Sequence, residues 1–376
     1  MRYLILFFTT IYLNVFPQSD FGPPNNPTYG IIQSDIPQNY YDEAYGKSYE
    51  DLKEALFQII SNHVVYPYTN SSTDTWDIIQ LSDQDPQNHD NMILVYTGRS
   101  QDKGYRDGTG NYSQFENGNG SHNNSWNREH VWPKSHGFPS QDDNAYTDVH
   151  NLKPADRSVN SARGTKDFDF GGNAHSEAID CLTDSDSWEP PDHVKGDIAR
   201  ILFYMVVRYD PGYDHNNNPF DLELVDYTTP GNNDTILGKL SSLIQWHFND
   251  PVDDFEINRN EIIYGFQQNR NPFIDHPDLV SFLWGENLGE VWNENLGLNN
   301  VRIDNTFIFP NPSRGVLNFS RSLLNERVQI FSLRGDLILD KLLVNSSSIS
   351  LNLESGTYFL KISNGLNVKH SKIIIR

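Results

Sequence analysis

The sequence predicts an α+β body followed by a small all-β domain. In the body, apolar side chains recur at helical spacing in several segments. After Trp292 the pattern changes to alternating Val- and Leu-rich segments separated by Gly and Asn, which is typical of a sandwich of about seven short strands. The charge changes at the same place: residues 301–376 carry ten Lys or Arg against five Asp or Glu, whereas residues 1–300 carry 18 against 45. Together these changes indicate two separately built parts.

The N-terminus has the pattern of a secretory signal. Met1-Arg2 precedes an apolar run that ends at Phe16, too short to span a bilayer comfortably, and polar sequence follows. We predict a signal peptide over 1–19 and a Pro-, Asn- and Gln-rich linker over 20–44. A buried first strand or an uncleaved anchor is the alternative. Since no other segment approaches the roughly 18 apolar residues of a membrane span, we expect an exported mature protein without one.

The body is assigned to 45–298 and the C-terminal domain to 299–376. Within the body, helical spacing predicts four helices, the first with Ser48 as a cap, and one short apolar run predicts a strand. The helices are predicted at Tyr49–Val65, Lys195–Tyr209, Ile236–Phe248 and Pro251–Gln268, and the strand at Met92–Tyr96.

The stretch 126–170 holds the densest set of functional residue types. His130 can accept a proton near neutral pH. Glu129 and Asn160 offer hard oxygen ligands for a cation such as Mg²⁺. Arg128 and Arg163 can pair with phosphate oxygens.

The spacing of these residues predicts how they meet. Thirty residues separate His130 from Asn160, enough for a strand, a return strand and the first turns of a helix. Such a closed ββα unit would bring the two side chains together. Glu129 and His130 are neighbours and would point to opposite faces of a regular strand. For both to serve one site, we expect the strand to bend or end there.

Three ordered blocks with fixed internal spacing resemble the endonuclease I family of extracellular and periplasmic nucleases, which belongs to the His-Me-finger, or ββα-metal, superfamily. The resemblance extends to later blocks at Lys195–Arg200 and Asn269–Pro277, and covers roughly residues 45–295. The three blocks read Asn127-Arg128-Glu129-His130-Val131-Trp132-Pro133, Asp148-Val149-His150-Asn151-Leu152, and Asn160-x-x-Arg163-Gly164.

The resemblance implies a secreted endonuclease that hydrolyses phosphodiester bonds of DNA, with RNA as a further substrate, and without sequence specificity. His130 would be the general base that takes a proton from the attacking water. Glu129 and Asn160 would hold one divalent ion, Mg²⁺ or else Mn²⁺ or Ca²⁺, whose bound water would protonate the 3′-oxygen and leave a 5′-phosphate. We expect a monomer.

The phosphate-binding cation stays open at this point. Arg163 matches the family's motif and would contact phosphate or orient Glu129. The loop 138–145 has no Arg or Lys, unlike some cystine-rich relatives, so Arg128 and Arg270 are the alternatives. His150 and Asn151 are interpreted as structural residues that tie the second strand to the helix.

The C-terminal part resembles the type A sorting domain of the type IX secretion system. The residues that carry the resemblance are Phe307–Gly315, Val328–Gly335, Leu353–Ile362 and Lys372–Arg376. This implies a secreted or cell-surface protein read by an outer-membrane translocon, with a tail that is commonly removed. An accessory carbohydrate- or protein-binding module is the alternative.

Composition narrows the remaining function classes. The single Cys181 excludes a disulfide scaffold. A net charge of −22 argues against a polyanion partner, but residues 126–166 carry six Lys or Arg against five Asp or Glu. We therefore expect weak, salt-sensitive substrate binding at a small site. The alternative function is a secreted Ca²⁺-binding glycan module or hydrolase. A zinc hydrolase is a third and weaker alternative, because Glu129-His130 does not follow the His-Glu-x-x-His order of zinc proteases.

Overall fold

A computed structural model describes residues 27–30, 32–107, 125–209, 221–228, 234–293, 306–323, 326–363 and 368–376. The predicted signal peptide, 1–19, lies outside the described residues, as do the first residues of the predicted linker. Among the residues described, no helix combines the length and the apolar character needed to cross a bilayer.

The body contains helices and short strands in a mixed order, which confirms the α+β prediction. Its helices are α1 Tyr49–Ser61, α2 Thr75–Ser82, α3 Asn144–Thr147, α4 Arg157–Arg163, α5 Lys195–Arg208, α6 Leu240–Asn249, α7 Asp254–Gln267, α8 Pro272–Asp275 and α9 Leu279–Trp284. Its strands are β1 Gln84–Asp85, β2 Asn88–Ile93, β3 Ser100–Asp102, β4 Trp126–His130, β5 Leu152–Asp156, β6 Asp167–Phe168, β7 Asn173–Ala174, β8 Leu182–Thr183, β9 Ser187–Glu189, β10 Glu223–Val225 and β11 Ile236–Gly238.

Helix α5 is the centre of the body. The sequence predicted it with one apolar side, but every residue from Gly196 to Arg208 is buried. Its charged side chains are satisfied internally: the Arg200 guanidinium donates to Glu256 at 2.5 and 2.6 Å. A helix buried all round needs such partners, because an unpaired charge inside a protein is costly. Arg200 therefore stabilises the core by pairing with Glu256.

Three helices and the strand differ from their predicted bounds. Helix α1 ends at Ser61 instead of Val65, and α7 begins at Asp254 instead of Pro251. The strand predicted at 92–96 begins earlier and ends at Ile93. The helix predicted at Ile236–Phe248 begins only at Leu240, because residues 236–238 form β11, parallel to β10. Gly238 shows the reason: a Cβ atom there would lie 2.1 Å from the Tyr227 carbonyl oxygen. The two backbones approach closely, and their pairing overrides the local helical pattern.

The segment before α1 packs against the body instead of extending away from it. Tyr41 is buried and its hydroxyl donates to Asp275 Oδ2 at 2.6 Å. Ser34 Oγ lies 3.1 Å from Glu261 Oε1. The described part of the predicted linker, up to residue 44, thus contributes to the fold of the body.

The C-terminal region is all β, as predicted, and its seven described strands form two sheets. The strand orders are β12-β13-β16 and β15-β14-β17-β18. Inward residues of both sheets share one apolar core that includes Leu317, Phe319, Val328, Ile330, Leu360 and Ile373. The strands are β12 Ile308–Phe309, β13 Val316–Leu323, β14 Glu326–Phe331, β15 Leu337–Leu343, β16 Ser346–Ser350, β17 Gly356–Ser363 and β18 Val368–Ile375.

Candidate active site

A hairpin and a helix carry the candidate residues. Strand β4 pairs antiparallel with β5, with His130 opposite Leu152, and α4 follows β5 directly. This is the strand, return strand and helix order that the thirty-residue spacing predicts. Strand β4 ends at His130, as expected, but the side chains alternate up to that residue. Tyr68 contacts both Arg128 and His130, so His130 lies on the face of β4 opposite Glu129.

Side chains of β4 alternate between α4 and an aromatic cluster. On the α4 face, Asn160 Nδ2 donates to Asn127 Oδ1 at 2.8 Å. On the same face, Glu129 Oε1 lies 3.3 Å from Arg163 Nη1. On the other face, Arg128 packs among Tyr and Trp rings. The structure therefore brings the two predicted metal ligands to one side of the strand.

The His130 ring is held in one orientation by two tyrosines. Its Nε2 lies 2.9 Å from the backbone carbonyl oxygen of Tyr146. Because a carbonyl can only accept, Nε2 carries the proton and Nδ1 keeps its lone pair. Tyr68 stacks on the ring at 5.7 Å, and the Tyr146 ring meets it edge-on at 4.7 Å. Nδ1 makes no hydrogen bond to another described residue, and His130 keeps 7% of its surface exposed.

The surroundings keep His130 neutral. Burial lowers its pKa to about 3, and the hydrogen bond to the Tyr146 carbonyl only partly opposes this. The positive charge of Lys134, followed by those of Arg128 and Arg163, lowers the pKa further. A neutral imidazole with a free Nδ1 lone pair can accept a proton.

Asn151 and Arg163 fix the backbone of residues 130–132 by hydrogen bonds. Asn151 accepts from the Trp132 amide at 2.7 Å and donates to the Trp132 carbonyl at 3.1 Å. Arg163 donates to the carbonyls of Val131 at 2.7 Å and His130 at 3.2 Å. These contacts support the structural interpretation of Asn151, and they hold the end of β4 in place.

Glu129 is held by a tyrosine that sequence reasoning did not single out. The Tyr96 hydroxyl donates to Glu129 Oε1 at 2.6 Å. Burial raises the pKa of Glu129, while Arg163 and the Tyr96 hydroxyl oppose the shift. Tyr96 was visible in the sequence only as the end of a predicted strand, 33 residues before its partner.

All three arginines proposed for phosphate are buried with protein partners. Arg163 is fully buried, and its guanidinium faces Glu129 and backbone carbonyls. Arg270 is fully buried and lies 2.6 Å from carboxylate oxygens of both Glu261 and Asp275. These two side chains have no open face for substrate, so Arg270 is corrected to a structural residue.

Arg128 is also withdrawn from solvent. Its guanidinium lies 3.2 Å from the Tyr68 ring centroid and 3.8 Å from that of Trp76. It donates to the Tyr68 carbonyl and to Thr75 Oγ1, the latter at 2.7 Å. Burial lowers its pKa to about 10. Arg128 therefore supports the tyrosine that stacks on His130.

An exposed cation does lie beside the candidate base. Lys134 is exposed, and its Nζ donates to the Tyr146 hydroxyl at 2.7 Å. Sequence reasoning passed over it, although it stands four residues after His130 in the same block. Tyr146 contacts the side chains of both Lys134 and His130, and this shared contact is not visible in the sequence.

The oxygen atoms beside Glu129 fit a hard divalent cation. Glu129 offers a carboxylate next to Arg163 of α4, and Asn127 and Asn160, joined by a hydrogen bond, offer amide oxygens. Mg²⁺ prefers such oxygen ligands, with one or two carboxylates and several waters. Within the described ranges, no group of three or more His, Cys, Asp or Glu could hold a metal. The donors near Glu129 comprise one carboxylate and two side-chain amides, which are hard oxygen ligands.

Behind the hairpin, His150 is enclosed in the core. Its backbone amide donates to Asp148 Oδ1 at 3.0 Å, and its ring lies 4.6 Å from that of Tyr204. Burial lowers the pKa of His150 to about 4, although Asp148 opposes the shift. The folded protein thus holds this imidazole neutral where an unfolded chain would protonate it.

This difference predicts acid destabilisation. Below the ordinary pKa of 6.5 the unfolded chain binds a proton that folded His150 refuses, so stability falls as the pH falls towards 4. We expect His150 to remove about 3 kcal/mol of unfolding free energy between pH 7 and pH 4. Denaturant unfolding of the wild type and of His150→Gln at pH 7, 5.5 and 4 measures this loss of unfolding free energy. Equal losses in both proteins would contradict this account.

Family profiles and known proteins match this chain over most of its length. A family profile described as Endonuclease I matches residues 48–278, and one described as Secretion system C-terminal sorting domain matches residues 307–376. The extracellular ribonuclease of Bacillus subtilis (strain 168) is 47% identical over 248 residues, which is 65% of this chain and 78% of that protein. The extracellular ribonuclease of Bacillus amyloliquefaciens is 46% identical over 262 residues, covering 69% and 83%.

Proposed function

The chain belongs to the endonuclease I family and ends in a secretion sorting domain, and from this premise we propose a metal-dependent nuclease that cleaves both DNA and RNA without sequence specificity. A secreted or cell-surface nuclease follows from the two matches and from the extracellular relatives. The names of the two relatives favour RNA as a substrate. The observation that carries the proposal is His130 Nδ1, left free to accept a proton.

We assign the proton transfer to His130. A water molecule loses a proton to His130 Nδ1 as its oxygen forms a bond to phosphorus. The bond from phosphorus to the 3′-oxygen breaks, and that oxygen takes up a proton from a second water molecule to become a hydroxyl. The phosphate stays on the 5′ side. The hydrogen bond from Nε2 to the Tyr146 carbonyl supports the positive charge that develops on the ring.

Glu129 and Asn160 are proposed to hold the divalent cation. Members of the endonuclease I family generally use such an ion, and the oxygen ligands beside α4 suit Mg²⁺. A bound cation supplies positive charge to the phosphate and leaving oxygens. Tyr96 and Arg163 then act as positioning residues, because both contact Glu129 Oε1. The hairpin β4–β5 with α4 would be the ββα-metal core of the superfamily.

The domain boundaries at 45–298 and 299–376 are proposed with the same roles. The first would be the nuclease and the second the part recognised by a type IX translocon. The division is supported by an apolar cluster between the two sheets of the C-terminal region, distinct from the cluster around α5, although Phe309 of β12 joins the latter.

One assay tests the proposed function on the purified full chain. Supercoiled plasmid and a long RNA are incubated with Mg²⁺, Mn²⁺ or Ca²⁺, and in parallel with EDTA. We expect both substrates to be cut with Mg²⁺, cleavage to stop with EDTA, and excess Mg²⁺ to restore it. New 5′ ends should accept label from a kinase only after phosphatase treatment, because they carry phosphate.

Two results would count against the proposal. Plasmid and RNA that stay intact with every metal would refute a nuclease of this mechanism. Cleavage that continues in EDTA would refute the metal dependence. Cleavage of only one of the two substrates would limit the proposal to that nucleic acid.

A further inference from the structure

Beside the proposed divalent ion, the arginines near His130 offer no further positive charge to the phosphate. Negative oxygens of a phosphodiester repel an incoming nucleophile, so nucleases place positive charge beside them. Arg163 is fully buried against Glu129 and backbone carbonyls, and Arg128 lies between two aromatic rings. Neither can reach substrate without leaving its partners.

Lys134 has the exposure that these arginines lack. The side chain is exposed, and its Nζ lies over the Tyr146 ring at 4.8 Å from the centroid. The Tyr146 hydroxyl accepts one Nζ hydrogen at 2.7 Å. An ammonium group has three donors, so hydrogens remain for a ligand.

Tyr146 links this cation to the candidate base. Its backbone carbonyl accepts the proton of His130 Nε2, and its hydroxyl accepts from Lys134 Nζ. Its ring also contacts the His130 ring edge-on at 4.7 Å. One residue therefore orients both the group that would take a proton from water and the nearby exposed positive charge.

We propose that Lys134 contacts a non-bridging oxygen of the phosphate attacked at His130, with Tyr146 as the positioning residue for both. This inference rests on the proposed nuclease function. Charge on the phosphate oxygens grows in the transition state, so a fixed ammonium group there stabilises that state more than bound substrate. Lys134 takes the role that the sequence offered to Arg128, Arg163 or Arg270.

The test compares matched lysine variants on a single-stranded RNA. Lys134→Met removes the charge and keeps the chain length, and Lys47→Met removes the same charge from an exposed lysine beside Trp292. We expect kcat/KM of Lys134→Met to fall roughly 10- to 100-fold, mostly in kcat. The slope of log kcat/KM against log salt should become shallower by about 0.7, the loss of one phosphate contact. Lys47→Met should keep kcat/KM within about twofold of the wild type and leave the salt slope unchanged.

The hydroxyl of Tyr146 is tested by a double-mutant cycle. Tyr146→Phe keeps the carbonyl and the ring and removes only the hydroxyl, so we expect a loss of roughly 3- to 10-fold in kcat. In the Lys134→Met background the same change should add less than about twofold, because the group it positions is absent. Lys134→Arg should recover a part of the activity.

Each other outcome overturns the proposal. Equal effects of Lys134→Met and Lys47→Met would show that Lys134 is an ordinary surface charge. A loss confined to KM would place it at a flanking phosphate. A loss with a lower melting temperature and an unchanged salt slope would show a structural role. Failure of the nuclease proposal itself is distinguishable, because then the wild type would leave plasmid and RNA intact with every metal.

Discussion

Replacement of His130 by Ala lowers the rate of cleavage by roughly 10²- to 10⁴-fold, the range expected for loss of a general base. The physical reason is the fixed tautomer. With Nε2 bonded to the Tyr146 carbonyl, Nδ1 is the ring atom left to accept a proton from water. Without the ring, water must lose its proton to solvent. Initial rates of plasmid nicking and RNA cleavage, taken at saturating Mg²⁺, measure the effect.

A control histidine separates chemistry from general effects. His89 is exposed on β2, and His89→Ala should cleave at close to the wild-type rate. Removing the His130 ring leaves a space between Tyr68 and Tyr146, so melting temperatures of both variants are compared. Added imidazole should restore a part of the activity of His130→Ala, because it can occupy that space. Retention of more than about a tenth of wild-type kcat would contradict the role of general base.

Breaking the pair between Glu129 and Arg163 has the largest expected effect on stability. Both side chains are buried, with 2% and 0% exposed. Removing one partner leaves an uncompensated charge, which costs about 3–5 kcal/mol. Arg163→Met should lose this amount, since the carbonyls of His130 and Val131 lose their donors as well. Glu129→Gln should lose less stability, because the Arg163 guanidinium still donates to the carbonyls of His130 and Val131.

Variants of the Glu129–Arg163 pair distinguish an effect on stability from an effect on metal binding. Glu129→Gln should abolish Mn²⁺ binding measured by calorimetry, and it should lower cleavage at least about 100-fold. The double variant Glu129→Gln/Arg163→Met should unfold less readily than the sum of the single variants implies, yet remain inactive. Glu256→Gln, in the buried pair with Arg200, is the matched control: it should lower stability and leave Mn²⁺ binding intact. Normal Mn²⁺ binding by Glu129→Gln would refute its role as a ligand.

The predictions from sequence succeeded where a local pattern decides the outcome. Helix α5 was predicted to within one residue, because apolar spacing and chain length both favoured it. The order of strand, return strand and helix around His130 also followed from spacing. The helix predicted from Ile236 begins only at Leu240, because pairing of β11 with β10 overrides local spacing at 236–238.

Burial of charged residues could not be predicted in the same way. Arg128 and Lys134 are both cations within a few residues of His130, and the sequence favoured the arginine for phosphate. In the fold, Arg128 lies between Tyr68 and Trp76, more than fifty residues earlier in the chain. Lys134 is exposed against Tyr146. The partners that decide each role come from other segments.

The sequence by itself determined the family, the secreted class and the candidate residues, because ordered blocks with fixed spacing preserve which residue types stand next to one another along the chain. Only the tertiary structure decided which nitrogen of His130 is free, which side of β4 holds the oxygen ligands and which cation is exposed. Hydrogen bonding and burial depend on contacts between segments far apart in sequence, and a linear pattern contains no record of those distances.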